Sequence, residues 1–432
     1  DHVFRNINND WKDVAQFDAE GGHGSGIIRL SDDGKSLVRI ALNAQTGTEG
    51  LVTLPLSTGE DAKVLFSDQQ YDIEGTLTDP WTRRVIGATE ITDMSRDRYF
   101  DPAMQSLQKG LEAAFPGNSV HAVDWDLSKR EVIVAVDGPQ MPRSYYFLDR
   151  TTHQASFIAS TYPGLNKDQL GETRPFPYKA RDGVNIPAYL TLPPGKAPKM
   201  LPVVILPHGG PRARDEMAFD WQAQFLANRG YAVLQPNFRG SSGYGRKFEE
   251  AGYGQWGLKM QDDVTDGVRK LIADGIADPK RICIVGGSYG GYAALAGAAF
   301  TPDLYACAVS WAGVSDLNKL LSEEKRYSGG DEWLMSAWHR FIGDGKDSKK
   351  LEAVSPAYHA DNIKAPILLM HGDADTTVRI EQSEIMEEAL KRAGKKVTFI
   401  PIAKETHYMQ SAETRIRYLT ELEKFLAANI GN

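Results

Sequence analysis

Three stretches near the start of this chain constrain its fold more than any other feature. "GIIRLSDDGKSLVRIAL", "YDIEGTLTDPWTRRVIGATE" and "VHAVDWDLSKREVIVAVDG" each place a polar turn between two runs of alternating apolar residues. That is the period-two signature of strands buried on one face. Their turns, near Asp33, Asp79 and Ser128, recur about every 47 residues, close to the ~40 to 50 residues of one four-stranded propeller blade. A β-hairpin array on this period predicts a β-propeller over residues 1–165. Such a length holds about three to four blades, fewer than the closed ring that protects strand edges, so further blades are expected to precede this chain. "DPAMQSLQKGLEAAFPG" breaks the pattern and reads as a helix inserted between two blades.

From "RPFPYKARDGVNIPAYLTLPPGKAPK" onward the texture changes, and buried strands alternate with amphipathic helices, as in an α/β sheet. Strands are expected at "LPVVILP", "YAVLQP", "RICIVG", "ACAVSW", "APILLMHG" and "KVTFIPI". Helices are expected to carry Met217, Trp221, Phe225 and Leu226 before a stop at Gly230, and Val264, Val268, Leu271 and Ile272. A last helix presents Ile416, Leu419, Leu422 and Phe425. The domain boundary therefore falls at 165/166, with the α/β domain spanning 166–432.

The chain has 432 residues, 41% of them hydrophobic and 25% charged, enough for at least two separate cores. A net charge of -8 with no Lys/Arg block argues against a nucleic-acid or anionic-membrane partner. No apolar run approaches the ~20 residues of a membrane helix. "DHVFRNINND" is neither a signal peptide nor an initiation sequence, so the chain is expected to begin inside a longer protein. Cys283 and Cys307 sit in apolar strand-like runs and read as small buried hydrophobes; they do not fix a compartment.

Chemistry enters at "VGGSYGGYAA", residues 285–294. A bare G-x-S-x-G is weak evidence, but here an apolar strand, "ICIV", runs into it and small helix formers follow. That strand-turn-helix context, found in α/β-hydrolases, exposes the Ser288 hydroxyl at a helix N-terminus. A serine needs a base to take its proton and an acid to orient that base, in the chain order Ser, Asp, His. Beyond the strand "APILLMHGDADTTV" and its acidic loop only His407 remains, which makes it the candidate base. Asp373 and Asp375 both lie in that loop, and spacing does not choose between them. Acyl transfer also needs two N–H donors for the developing oxyanion. The Tyr289 amide supplies one, and the loop "HGGP", residues 208–211, the other.

With these residues in place, the last 260 or so residues resemble the prolyl oligopeptidase family of serine peptidases, especially its acylaminoacyl-peptidase-like branch. The resemblance rests on "LPHGGPRARD", "FLANRGYAVLQPNFRGSSGYG", "WGLKMQDDVTDGVRKLI", "ADPKRICIVGGSYGGYAAL", "SPAYHADNIKAPILLMHGDADTTVRIEQS" and "ETHYMQ", in family order. It implies an α/β-hydrolase fold behind a seven- or eight-bladed propeller that restricts entry to short peptides. The family pattern H-G-x-x-D-x-x-V, set on His371 to Val378, implies Asp375 as the acid and leaves Asp373 a solvated carboxylate. His208 stands where some branches carry an oxyanion-donating tyrosine, which implies donation by the Gly210 amide instead. The acidic pair that holds a peptide amine in the dipeptidyl-peptidase branch is not recognisable in this sequence.

The expected activity is hydrolysis of short peptides, releasing acylaminoacyl or dipeptidyl units with an apolar P1 residue. Ser288, His407 and Asp375 form the catalytic triad, and the Tyr289 and Gly210 amides the oxyanion hole. Candidates for the P1 pocket, beside Tyr289, are Trp311, Leu317, Leu320 and Val378. No metal or organic cofactor is implied, since H-E-x-x-H, paired C-x-x-C and a post-strand G-x-G-x-x-G are all lacking. Partners are short peptide substrates, with a homo-oligomer or the preceding propeller segment as further possibilities. An esterase or specialised isopeptidase using the same triad is the nearest alternative, and a non-catalytic binding scaffold the remote one.

Overall fold

The structure, a computed structural model, describes residues 2–7, 10–16, 29–56, 62–343, 345 and 347–431. The chain forms two compact units. The first comprises Asp1–Lys167 with the short segments Glu216–Phe219 and Ser242–Lys247, and the second Asp168–Asp215, Asp220–Ser241 and Phe248–Asn432.

In the first unit, antiparallel sheets follow one another along the chain. A two-stranded pair (His2–Ile7, Asp10–Gln16) precedes a four-stranded sheet over 29–66, a three-stranded sheet over 73–99 and a four-stranded sheet over 119–160. Each of the last three sheets opens with one of the repeated hairpins, and each turn is built on an aspartate. Asp33 accepts the Lys35 amide, Asp79 those of Trp81 and Thr82, and Asp126 those of Ser128, Arg130 and Glu131. A carboxylate that satisfies its own turn's N–H groups explains why Asp recurs there. Gly26–Ile28 of the first hairpin lie outside the described residues. The inserted helix is Pro102–Ala114, capped by Asp101 on the Met104 amide, with Met104 and Leu111 packed against Val120, Val132 and Val134.

The second unit is an eight-stranded sheet: β1 (Glu172–Pro175), β2 (Ala188–Leu192), β3 (Leu201–Ile205), β4 (Ala232–Pro236), β5 (Ala277–Gly287), β6 (Cys307–Trp311), β7 (Ile367–Gly372) and β8 (Val397–Ile402). Their order is β1-β2-β4-β3-β5-β6-β7-β8, antiparallel at β1/β2 and β2/β4 and parallel from β4 onward, which is the α/β-hydrolase order. Helices cover both faces. Ile282 and Ile284 of β5 join the cluster under α2 (Lys259–Ala273), α3 (Tyr289–Phe300) and α4 (Glu381–Arg392). Cys283 and Val285 join the cluster under α1 (Trp221–Asn228) and α5 (Ala412–Ile430). Burial on both faces is why the central strands read as continuous apolar runs rather than alternating ones. No described helix is long and apolar enough to cross a membrane.

Four local expectations are revised. Helix α1 starts at Trp221, because Asp220 caps the Gln222 and Ala223 amides, so Met217 lies before it. Strand β8 is an edge strand, with only Ile402 buried. In α5 the buried stripe is Thr414, Tyr418, Leu422, Leu426 and Ile430, a strict i, i+4 row that leaves Ile416 66% exposed. Cys283 and Cys307 are not separate thiols but a disulfide, since parallel pairing of β5 with β6 sets them opposite each other with Cα atoms 4.7 Å apart.

Candidate active site

Strand β5 ends at Gly287, and the next residue turns sharply. Ser288 has φ 57° and ψ -123°, a left-handed conformation costing about 1–3 kcal/mol in a non-glycine residue. Its amide donates to Trp311 O at 2.9 Å, extending the β5/β6 ladder, while its carbonyl accepts from Tyr292 at 3.0 Å, starting α3. The hydroxyl makes no capping bond to the helix, so it is not consumed in holding α3. What permits the turn is missing volume. A Cβ on Gly290 would lie 2.1 Å from Pro207 O, so the first turn of α3 can press against the 207–211 loop only with glycine there.

That loop is the glycine-rich "HGGP". Gly210 has φ +114°, and a Cβ on Gly209 would stand 3.5 Å from that of Ser288, which places the loop directly beside the elbow. His208 holds it. Its Nδ1 lies 2.7 Å from Gly209 O, its Nε2 2.8 Å from Ser241 Oγ, and its ring stacks on Phe238 at 4.4 Å. Desolvation lowers the His208 pKa to about 4; the bond to Gly209 O opposes that shift and nearby Arg214 adds to it. The ring is therefore neutral above that pH, and because Gly209 O can only accept, Nδ1 is the nitrogen that donates; the Ser241 hydroxyl beside Nε2 also donates to Phe238 O at 2.7 Å. Pinning the Gly209 carbonyl fixes the plane of the peptide whose N–H belongs to Gly210. Beyond the presence of His208 in the motif, nothing in the letters pointed to this position.

Tyr289 begins α3. Its side chain is buried among Phe238, Trp256 and Tyr292 at ring distances of 5.1, 4.6 and 5.6 Å, and burial pushes its hydroxyl pKa well up. The side chain thus anchors the helix start, leaving the first-turn N–H groups of α3 without intrahelical partners.

On the other side of β6, strand β7 ends at Gly372 and Asp375 follows. Asp375 Oδ2 meets His407 Nδ1 at 2.6 Å, and Oδ1 accepts the amides of Thr377 and Val378 at 2.8 and 2.9 Å. Burial alone would raise the Asp375 pKa. Hydrogen bonds from His371 and His407, with the Val378 amide, outweigh it and hold the carboxyl well below the usual range, so it is ionised at neutral pH. Since Nδ1 of His407 faces Asp375, Nε2 is the ring nitrogen that the carboxylate does not engage. The His407 backbone is fixed as well, its carbonyl accepting from Trp311 Nε1 at 3.0 Å. Asp373 is exposed, and its carboxylate accepts the Lys404 amide at 2.6 Å, tying the acid loop to the segment that leads to His407.

The four pocket candidates do not share a surface. Leu317, Leu320 and Val378 belong to the cluster under α2 to α4, while Trp311 lies in the cluster on the opposite face, edge-on to Tyr418. All are 0–5% exposed. Their apolar character is accounted for by core packing. Among the described residues no group of three or more His, Cys, Asp or Glu side chains is arranged to hold a metal ion.

A model of the prolyl oligopeptidase family matches residues 217–432, half of the chain. Dipeptidyl aminopeptidase BIII of Pseudoxanthomonas mexicana is 36% identical over 416 residues, covering 93% of this chain and 59% of that protein. Dipeptidyl peptidase family member 6 of Caenorhabditis elegans is 31% identical over 406 residues, covering 88% and 54%. Among solved structures, a puromycin-hydrolyzing peptidase of Mycobacterium tuberculosis superposes with a TM-score of 0.80 at 25% identity, over 98% of this chain and 64% of that one. This chain spans less than two thirds of each of these relatives. A family match that runs from Met217 to Asn432, on a sheet with this strand order, leads to one assignment: the chain belongs to the prolyl oligopeptidase family of serine peptidases.

Proposed function

We propose that the protein hydrolyses short peptides through an acyl-enzyme on Ser288, releasing dipeptidyl or acylaminoacyl units. In the first half-reaction Ser288 Oγ attacks the scissile carbonyl carbon and its proton passes to His407 Nε2. The oxyanion formed there is met by the N–H groups of Tyr289 and Gly210. Collapse breaks the C–N bond as His407 returns the proton to the leaving amine. Water then attacks the acyl-enzyme with His407 again as base, and Ser288 is regenerated. Asp375 stays ionised throughout and stabilises the imidazolium.

The observation that carries the reading is the 2.6 Å bond from His407 Nδ1 to a buried carboxylate, on loops at the same end of the sheet as the Ser288 elbow. The names of the two curated relatives favour dipeptide release over other cleavage patterns. We read residues 166–432 as the peptidase domain and residues 1–165 as about three to four propeller blades. The test is turnover of dipeptidyl anilides, acylaminoacyl anilides and simple esters by the whole protein and by Ser288→Ala. Dipeptidyl anilides should turn over fastest, and Ser288→Ala should abolish both turnover and labelling by a fluorophosphonate. Turnover of esters alone would overturn the peptidase reading.

A further inference from the structure

Asp375 is held by a second histidine that the reaction scheme leaves unused. His371 is the penultimate residue of β7, four residues before Asp375, and is 0% exposed. Its Nε2 is 2.8 Å from Val378 O and 3.3 Å from Asp375 Oδ2. A carbonyl and a carboxylate both accept, so Nε2 carries the ring proton. At the other end of the ring, Nδ1 lies 2.8 Å from Ser383 Oγ, which donates to it in the neutral form. The ring is therefore fixed in one tautomer and one orientation. His407 reaches the same oxygen, Asp375 Oδ2, at 2.6 Å. One carboxylate oxygen thus faces the N–H groups of two imidazoles, that of His407, whose opposite nitrogen the proposed scheme uses, and that of His371, locked in the core.

We propose that His371 is a positioning residue: its Nε2–H, locked by Val378 O and Ser383, aims Asp375 Oδ2 at His407 and withdraws part of that oxygen's negative charge. The proposal rests on the reading of Asp375 and His407 as acid and base. The sign of its consequence follows from electrostatics. Without the His371 N–H, more of the Oδ2 charge acts on His407, so the His407 cation is better stabilised and the base stays protonated to higher pH. A residue that merely supported the loop would act oppositely, since a displaced Asp375 would hold the cation less well. The other charged groups around this loop are engaged elsewhere. Asp373 accepts the Lys404 amide, Glu405 is held by the Thr406 and Gln410 amides and the Thr414 hydroxyl, and the Arg379 guanidinium lies 4.0 Å over the Tyr327 ring.

The test compares His371→Leu, which removes the donor, with His371→Gln, whose amide can restore an N–H near the Nε2 position. Both are made in the whole protein and followed by p-nitrophenyl acetate hydrolysis and fluorophosphonate labelling across pH. His371→Leu is expected to lower kcat about 10- to 100-fold with KM little changed. It should also move the acid limb of kcat/KM to higher pH by roughly half a unit to one unit. His371→Gln should return the limb toward its original position. An acid limb that is unmoved or shifted downward in folded His371→Leu, or no rescue by Gln, overturns the proposal. If His371→Leu does not fold, Ser383→Ala, which frees the ring, replaces it. A smaller upward shift of the limb is then expected, and an unmoved limb counts against the role. Failure of the underlying reading looks different: Ser288→Ala and His407→Ala would then hydrolyse the ester as fast as the unaltered protein, whatever the His371 variants do.

Discussion

Strands β5 and β7 flank β6 in the parallel part of the sheet, and each delivers a candidate reactive group just past its carboxyl end, but the chain is fixed differently at the two places. At Ser288 the backbone is strained and packed so closely that a Cβ on Gly290 would collide with Pro207 O. At Asp375 the strand end is packed as closely, since a Cβ on Gly372 would lie 2.2 Å from Glu405 O, but the residue itself has no left-handed φ. The side chain is instead gripped by two histidines and two amides. Sterics fix both strand ends, but only at Asp375 is the side chain itself held by charge-assisted hydrogen bonds. The difference suits the roles proposed for them: a nucleophile has to project from its turn with a free hydroxyl, whereas an orienting acid has to stay buried and ionised.

The comparison can be broken by substitutions that should act on one side only. The largest effect is expected at the charged side, where Asp375→Asn should lower kcat about 10,000-fold, because an amide no longer fixes the His407 tautomer. Binding of substrate to the Asn variant, measured under single-turnover conditions, should be nearly unchanged. At the steric side Gly290→Ala should cost about 3 kcal/mol or more of folding stability, read from denaturant unfolding, with a loss insensitive to pH. A pH-dependent loss there would mean that the elbow is held electrostatically after all.

His208 tests the middle ground, since it supports the steric side through a hydrogen bond. Its pKa of about 4 in the folded protein lies below the ~6.5 of an unfolded histidine. The neutral ring therefore contributes stability that is fully present above pH ~6.5 and is lost as pH falls toward 4. His208→Gln should flatten that part of the stability profile. It should also lower kcat about 10- to 100-fold, because the Gly210 N–H is then less firmly oriented. The smallest effect is expected far from either loop. Ile416→Lys should change stability by less than about 0.5 kcal/mol, whereas Leu422→Ala on the buried row of the same helix should cost about 2–5 kcal/mol.

Much of this was legible in the letters. Continuous apolar runs announced the strands buried on both faces, and the glycines around Ser288 announced a turn. The order of Ser288, the acid loop and His407 singled out a base. The choice of Asp375 over Asp373 came from the family pattern. Less legible were features that depend on which elements become neighbours. Trp311, Leu317, Leu320 and Val378 looked like pocket material because apolar letters near a site are indistinguishable from core letters. Ile416 looked buried because an i+3 row and an i+4 row overlap over a short stretch. Cys283 and Cys307 looked independent because only the parallel register of β5 and β6 sets them opposite each other.

Local periodicity and chain order are enough to read the hairpin period, the alternation of strand and helix, and the types and order of the candidate site residues. Only in the folded chain is it visible which carboxylate oxygen His407 meets, that His371 shares that oxygen, and that His208 holds the Gly209 carbonyl. Those outcomes depend on distances between groups far apart in the chain, and a hydrogen bond a few tenths of an ångström longer or a few tens of degrees off line is a weak one.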